Sequence, residues 1–171
     1  MNALYLHDLV FEPLKESDFG LLHTWLNSPH VAGTWGLAPS LEAVHARYLG
    51  KIASAQQQAF VVSKDGEPFG FMQWYRARGA GDAWWPHESD LTVGIDQFIG
   101  ATRFLGKGLG SAMAREFSDW LLRQPGNQKV IADPDPTNAR AIACYRRAGF
   151  RDVEFCVTPD GPALLMEKTR G

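Results

Sequence analysis

Apolar residues recur along this chain in two rhythms, one of period two and one of period 3.6, and their order predicts a mixed α/β fold. Residues 4 to 14 alternate as an opening strand. Ser17 and Asp18 then cap a helix carrying Leu21, Leu22, Trp25 and Leu26, which Pro29 and Gly33 interrupt. Ser40 caps a second helix through Val44, Tyr48 and Ile52. Residues 59 to 63 and 68 to 75 read as the strands of a hairpin around Asp65-Gly66. The connection from 76 to 90 is rich in Gly, Trp and acids, and its length inside a compact domain marks it as functional. A strand over 91 to 95 follows, and a helix from Gly108 places Leu109, Met113, Phe117 and Leu121 on one face until Pro125-Gly126 stops it. Strands at Lys129–Ala132 and Arg151–Thr158 flank a helix on which Asn138, Ala141, Ile142 and Tyr145 share a face. Gly149 stands where a left-handed terminal residue belongs, with Arg146 and Arg147 in the last turn. Asp160-Gly161 turns the chain into a final strand ending near Lys168.

The stretch Leu105-Gly106-Lys107-Gly108-Leu109-Gly110 interrupts that pattern just before the most periodic helix. Its alternating glycines open conformations closed to other residues and turn consecutive N–H groups toward one point, where the helix adds its positive end. An anionic diphosphate fits such a cradle. A nucleotide P-loop does not, because Gly108 rather than Ser or Thr follows Gly106-Lys107. A dinucleotide fingerprint keeps Gly106-x-Gly108 and finds Asp133 downstream, yet fails at Leu109 and Ser111, where its third glycine should fall. A purely structural, helix-opening turn stays open as the alternative.

Composition narrows the class without naming a chemistry. The 171 residues suit one domain with a substantial core, 1–171. A hydrophobic share of 45%, a charged share of 21% and a net charge of −2 predict no broad nucleic-acid or membrane surface. The N-terminal residues lack a basic leader with an apolar segment, so a cytoplasmic location is expected. Cys144 and Cys156 have no metal spacing and read as two free, mostly buried thiols; no metal is expected.

The glycine loop together with Asn138-Ala-Arg140-Ala141-Ile142-Ala-Cys144-Tyr145, about thirty residues on, resembles the GCN5-related N-acetyltransferase (GNAT) superfamily, whose members bind acetyl-CoA. The resemblance implies a central, mixed but mostly antiparallel, splayed sheet flanked by helices. It implies that Gly106, Lys107, Gly108, Leu109, Gly110 and Ser111 hold the pyrophosphate and that the Asn138 to Tyr145 helix lies along the pantetheine arm. Trp25-Leu26-Asn27, Trp35-Gly36, Gly81-Asp82-Ala83-Trp84-Trp85, Gly94-Ile95-Asp96-Gln97 and Thr158-Pro159-Asp160-Gly161-Pro162 extend it over most of the chain, toward the aminoglycoside 6'-N-acetyltransferases of antibiotic resistance.

Acetyl transfer to an amine needs a neutral nitrogen, a polarised thioester carbonyl and a proton for the leaving thiolate. Asp96, placed just after the strand over 91 to 95, is the candidate carboxylate for the amine, directly or through water; its alternative is a strand-end cap. Backbone N–H groups near Phe98 and Ile99 are candidates for the acetyl carbonyl and pantetheine. Tyr145 matches the tyrosine that protonates the departing sulfur in similar enzymes; its plain alternative is a ring packed on the sheet. Asn138 reads equally as a pantetheine contact and as a helix cap. By the same resemblance Trp35, Tyr48, Asp82, Asp96, Asp133 and Asp160 line the antibiotic site, and separated carboxylates with aromatic faces suit a polycationic sugar. Glu88 and Asp90 read as ordinary surface acids, and Trp84-Trp85 as an anchor for the long connection. The expected partner is a small cationic amine, with the protein a monomer or homodimer. Two other readings stay open: an amine or hydroxylamine acetyltransferase of siderophore assembly, and a non-catalytic acetyl-CoA-binding module.

Overall fold

A computed structural model of the chain describes residues 2–79 and 84–170. Its opening segment departs from the single strand expected over 4 to 14. β1 (Leu4–Leu6) and β2 (Leu9–Pro13) instead form a tight hairpin with Leu6 opposite Leu9. His7 at φ 49° supplies the left-handed residue of the turn, a conformation that alternation alone does not register.

α1 (Phe19–Leu26) buries Phe19, Leu22, Trp25 and Leu26 at helical spacing. Asp18 holds the N-cap position, but its carboxylate accepts from the backbone N–H of Lys15 at 2.9 Å, stapling the short 3-10 turn before the helix. The helix stops at Leu26, ahead of Pro29 as expected; the second correction is Gly33, which interrupts nothing and lies inside α2 (Pro29–Trp35), a helix that Pro29 starts. A first-turn proline has no N–H to leave unbonded and its φ is already helical. α3 (Leu41–Ile52) begins as expected, with Ser40 Oγ accepting from Ala43 N at 3.2 Å. β3 (Gln57–Lys64) and β4 (Glu67–Arg76) are joined by Asp65 (φ 52°) and Gly66 (φ 79°), the two left-handed residues that a tight hairpin turn demands.

β5 (Thr92–Ile99) runs four residues past the expected 95, so Asp96 lies within the strand rather than after it. α4 (Leu109–Arg123), β6 (Lys129–Ala132), α5 (Ala139–Arg147), β7 (Arg151–Thr158) and β8 (Gly161–Thr169) follow. The strands form one sheet in the order β1-β2-β3-β4-β5-β6-β8-β7. β5 and β6 pair in parallel, whereas β1 with β2, β2 with β3, β6 with β8 and β7 with β8 are antiparallel. The sheet is therefore mixed and mostly antiparallel.

The chain packs as two compact units, residues 1–73 with 97–107 and residues 74–96 with 108–171. The first is centred on an apolar cluster that includes Phe19, Leu22, Trp25, Tyr48, Phe71 and Phe98. In the second, α4 buries Met113, Phe117 and Leu121 on the face its periodicity marked. There α5 is tied to the start of α4 by Arg147 Nε donating to Ser111 Oγ at 3.1 Å. A smaller cluster of Tyr75, Ala77, Trp85, Ile131 and Leu165 completes that unit and carries the polar groups described next.

Candidate active site

The parallel ladder between β5 and β6 is short. Thr92, Val93 and Gly94 face Lys129, Val130 and Ile131, and both strands then continue past their last pair. Asp96 stands two residues beyond that pair within β5, and Asp133 stands two residues beyond it, just past the end of β6. Alternation puts Asp96 on the same face as Gly94. Leu164 N donates to Pro134 O at 2.9 Å and fixes the backbone immediately after Asp133.

Both carboxylates are half-buried, and they act on each other. Burial first, then the charges of Asp96 and Asp160, raise the Asp133 carboxyl to about 8, against a smaller opposing effect of its backbone hydrogen bond. Among the described residues, the groups that act on it are carboxylates and its own backbone. The same negative field reaches Cys156, whose thiol is raised by burial, Asp133 and Glu154. Carboxylates that raise one another in this way form a place where an incoming ammonium gains energy.

Tyr145 comes to this region on α5. Asn138 Oδ1 accepts from Ala141 N at 3.0 Å and starts the helix, so the cap reading of Asn138 is realised. Gly149 at φ 97° ends it in the left-handed conformation expected. The Tyr145 ring is buried, edge-on to Phe150 with centroids 5.3 Å apart. Burial, then Asp96, Cys144 and Asp133, push its phenol well above the usual range, so it remains a protonated donor. The plain reading of Tyr145, a ring packed in the core, is realised, and its hydroxyl lies in the field of the carboxylates.

The glycine loop has the backbone its composition predicted. Gly106 and Gly108 take φ 74° and 76°, and nothing lies within 4 Å of where a Cβ would stand on either, so the glycines serve conformation rather than close packing. α4 begins at Gly108 with no side-chain cap, which leaves its N-terminal end to an external acceptor. Leu109 and Gly110 form its first turn, Ser111 is engaged by Arg147, and the Lys107 ammonium lies 5.5 Å from the Phe104 ring centroid. These residues fit a diphosphate held by backbone groups. At the end of β5 the Phe98 side chain stacks on Phe71 at 5.1 Å, and the Ile99 carbonyl is held by His30 Nε2 at 2.9 Å. Side-chain packing thus orients the backbone there.

Trp35 and Tyr48 meet directly, with Trp35 Nε1 donating to Tyr48 Oη at 3.1 Å. Tyr48 is only 1% exposed, so its ring is part of the apolar core, and Trp35 is the more accessible of the two. Asp160 sits in the exposed β7–β8 turn, its N–H donating to Thr158 Oγ1 at 3.2 Å. Asp82 lies outside the described residues. Asp90 faces Arg78 as the ordinary surface acid expected, whereas Glu88 departs from that reading: its side chain is largely buried, paired with Lys129 at 2.6 Å and accepting from Thr92 Oγ1. Trp85 is buried as the expected anchor, and Trp84 is largely exposed.

Sequence reasoning passed over Tyr75 and Gly94. A Cβ on Gly94 would lie 2.2 Å from Tyr75 Cζ, so the phenol rests on bare strand backbone. A glycine inside an apolar strand was the available signal, since it marks a bulge or a close approach.

The acetyltransferase (GNAT) domain family matches residues 15–157. The aminoglycoside N(6')-acetyltransferase type 1 of Klebsiella pneumoniae is 40% identical over 162 residues, which cover 92% of this chain and 81% of that protein. The crystal structure of aminoglycoside acetyltransferase AAC(6')-Ib with coenzyme A and kanamycin matches with a TM-score of 0.88 and 38% identity over 95% of each chain. The N-hydroxyputrescine acetyltransferase of Acinetobacter baumannii is 25% identical over 154 residues, 89% of this chain and 69% of that protein.

Proposed function

The chain belongs to the GNAT acetyltransferase family, and from that premise we propose that it transfers the acetyl group of acetyl-CoA to the 6'-amine of an aminoglycoside and so confers resistance to such antibiotics. The observation that carries the substrate class is the convergence of Asp96 and Asp160 on Asp133 beyond the end of a parallel ladder. A polycationic sugar suits a field of three carboxyl groups. We read residues 1–171 as one catalytic domain, because the family match runs through both compact units. A cytoplasmic monomer or homodimer is the accompanying expectation; among the described residues no helix is long and apolar enough to cross a membrane.

In this reading acetyl-CoA supplies an activated acyl thioester, and the protein supplies placement and proton handling. The left-handed Gly106 and Gly108 with the uncapped start of α4 hold the diphosphate, joined by backbone groups from Lys107 to Ser111. N–H groups at Phe98 and Ile99 orient the carbonyl, and Asn138 reaches the pantetheine from the start of α5. Trp35 and the acids Asp82, Asp133 and Asp160 hold the sugar, with Tyr48 behind Trp35 as its support.

Asp96 receives the ammonium. An ordinary carboxylate is a weak base toward an amine, each unit of mismatch costing about 1.4 kcal/mol. Burial, reinforced by the charges of Asp96 and Asp160, raises Asp133 and narrows that mismatch for the carboxylate pair, which takes the proton and returns it to solvent. Tyr145 donates toward the departing sulfur and is replenished by the proton that the nitrogen loses on becoming an amide.

The test is release of CoA thiol from acetyl-CoA in the presence of kanamycin, with N-hydroxyputrescine as the competing arm. Turnover of kanamycin is expected. Turnover of N-hydroxyputrescine alone would move the protein to siderophore chemistry, and acetyl-CoA binding without turnover of either would leave a cofactor-binding module.

A further inference from the structure

We propose that Tyr75 is a positioning residue of this acetyl-transfer site: clamped between the bare backbone of Gly94 and the indole of Trp85, its hydroxyl donates toward Asp96 and Asp133 and steadies their charge for an arriving ammonium. The inference rests on the acetyltransferase reading for its purpose and on packing for its substance.

The clamp is geometric. A Cβ on Gly94 would approach Tyr75 Cζ, Cε2 and Oη to 2.2, 2.4 and 2.5 Å, so the hydroxyl end of the ring, rather than its edge near the main chain, covers that glycine. Asp96 follows two residues along the same face of β5. Ala77, Trp85, Ile131 and Leu165 enclose the ring, and Tyr75 and Trp85 are 6% and 8% exposed. Trp85 is itself fixed by its backbone N–H, which donates to Ala77 O at 3.0 Å.

Electrostatics then orient the hydroxyl. The Trp85 indole N–H donates to the Tyr75 oxygen. The remaining groups that face the phenol are Asp96 from β5, Asp133 beyond β6 and Tyr145 from α5, with burial the largest influence. All of them keep its proton in place. Asp133 is faced in turn by Asp160 of the β7–β8 turn, and the Cys156 thiol on β7 feels the same charge. A neutral hydroxyl that accepts from an indole and lies in the field of two carboxylates turns its hydrogen toward them, and the two bonds polarise each other. Tyr75 thus links the end of the long connection after β4 to the acids that define the site.

The test is a carboxyl carbon NMR titration of Asp96 and Asp133 in the wild type, Tyr75→Phe and Trp85→Phe, with thermal melts to verify folding. Loss of the Tyr75 donor moves the midpoints upward by about one pH unit, a tenfold change in proton affinity. Trp85→Phe keeps the hydroxyl but removes its polarising donor, so it shifts them the same way by less. Where kanamycin turnover is measured, the acidic limb of kcat/KM for Tyr75→Phe moves up by the same amount, with recovery at higher pH. Midpoints that stay in place or fall in both variants would overturn the proposal. Shifted midpoints in a protein that never acetylates kanamycin would uphold it and sink the substrate assignment instead.

Discussion

Trp25 lies on the backbone of Gly100: a Cβ there would stand 2.1 Å from Trp25 Cδ2. Gly100 N and Ala101 N both donate to Phe69 O, at 2.8 and 3.1 Å, so the main chain leaving β5 cannot withdraw to make room. Gly100→Ala is therefore expected to cost about 1–3 kcal/mol by overpacking. A thermal melt should fall by about 2–4 °C per kcal/mol for a chain of this size. A melt identical to the wild type would show that the indole moves aside freely.

Gly106 and Gly108 pose the opposite case, since space around both is open and only their φ is demanding. Gly108→Ala should lower stability by only about 1 kcal/mol. By turning N–H groups away from the diphosphate it should weaken acetyl-CoA roughly tenfold, the loss of about one hydrogen bond to a charged group. Calorimetry with acetyl-CoA separates the two effects. Unchanged affinity would remove the loop from the cofactor site.

Asp96→Asn should abolish most turnover while sparing acetyl-CoA affinity, because in the proposed mechanism the carboxylate handles the amine rather than the thioester. Tyr145→Phe should lower kcat by about 10²-fold, the usual contribution of a general acid, with little change in aminoglycoside binding. Steady-state kinetics beside equilibrium binding distinguishes these outcomes. Full activity in either variant would take that residue out of the mechanism.

Asp133 gives a pH dependence with a definite sign. Its folded carboxyl is raised to about 8 by burial, Asp96 and Asp160, so between the ordinary carboxylate range and about 8 the folded chain binds more protons than the unfolded one. Stability must fall as pH rises through that window and level off above it, by an amount on the order of a few kcal/mol. Urea denaturation at about pH 5 and pH 8 should show this decline in the wild type and a weaker one in Asp133→Asn. Asp160→Asn removes one repelling charge and should move the upper end of the window downward. Kanamycin should stabilise the protein more at the higher pH, where the acids are fully ionised.

Most elements could be read from the chain because their signals are local. The Asp65-Gly66 turn, the Ser40 cap, the α4 stripe and the Gly149 stop each depend on neighbours within one or two turns. The misreadings share a cause. Pro29 is a breaker inside a helix and an initiator at its first turn, so Gly33 lies within a second helix, and only the position of Ser28 and the packing of Val31 decide this. His7 breaks an alternating run by adopting φ 49°, which its side chain does not advertise. β5 outlasts its apolar pattern because Asp96 and Gln97 are polar residues in a strand whose pairing with β6 has already stopped at Gly94.

By itself the sequence determined the kinds of elements, the glycines that must be left-handed and the family to which the chain belongs, since each rests on residue type and short spacing. Which acids would matter was a tertiary question. Glu88 pairs with Lys129 and Asp90 faces Arg78, whereas Asp133 meets the carboxylates of Asp96 and Asp160. Those three come from separate parts of the chain and converge because β5 lies parallel to β6, with β8 and β7 stacked beyond it. The same pairing lays Tyr75 on Gly94. Ring contact acts over a few ångströms and charge repulsion over a Debye length of about 10 Å, and only the folded sheet brings residues so far apart in sequence within that reach.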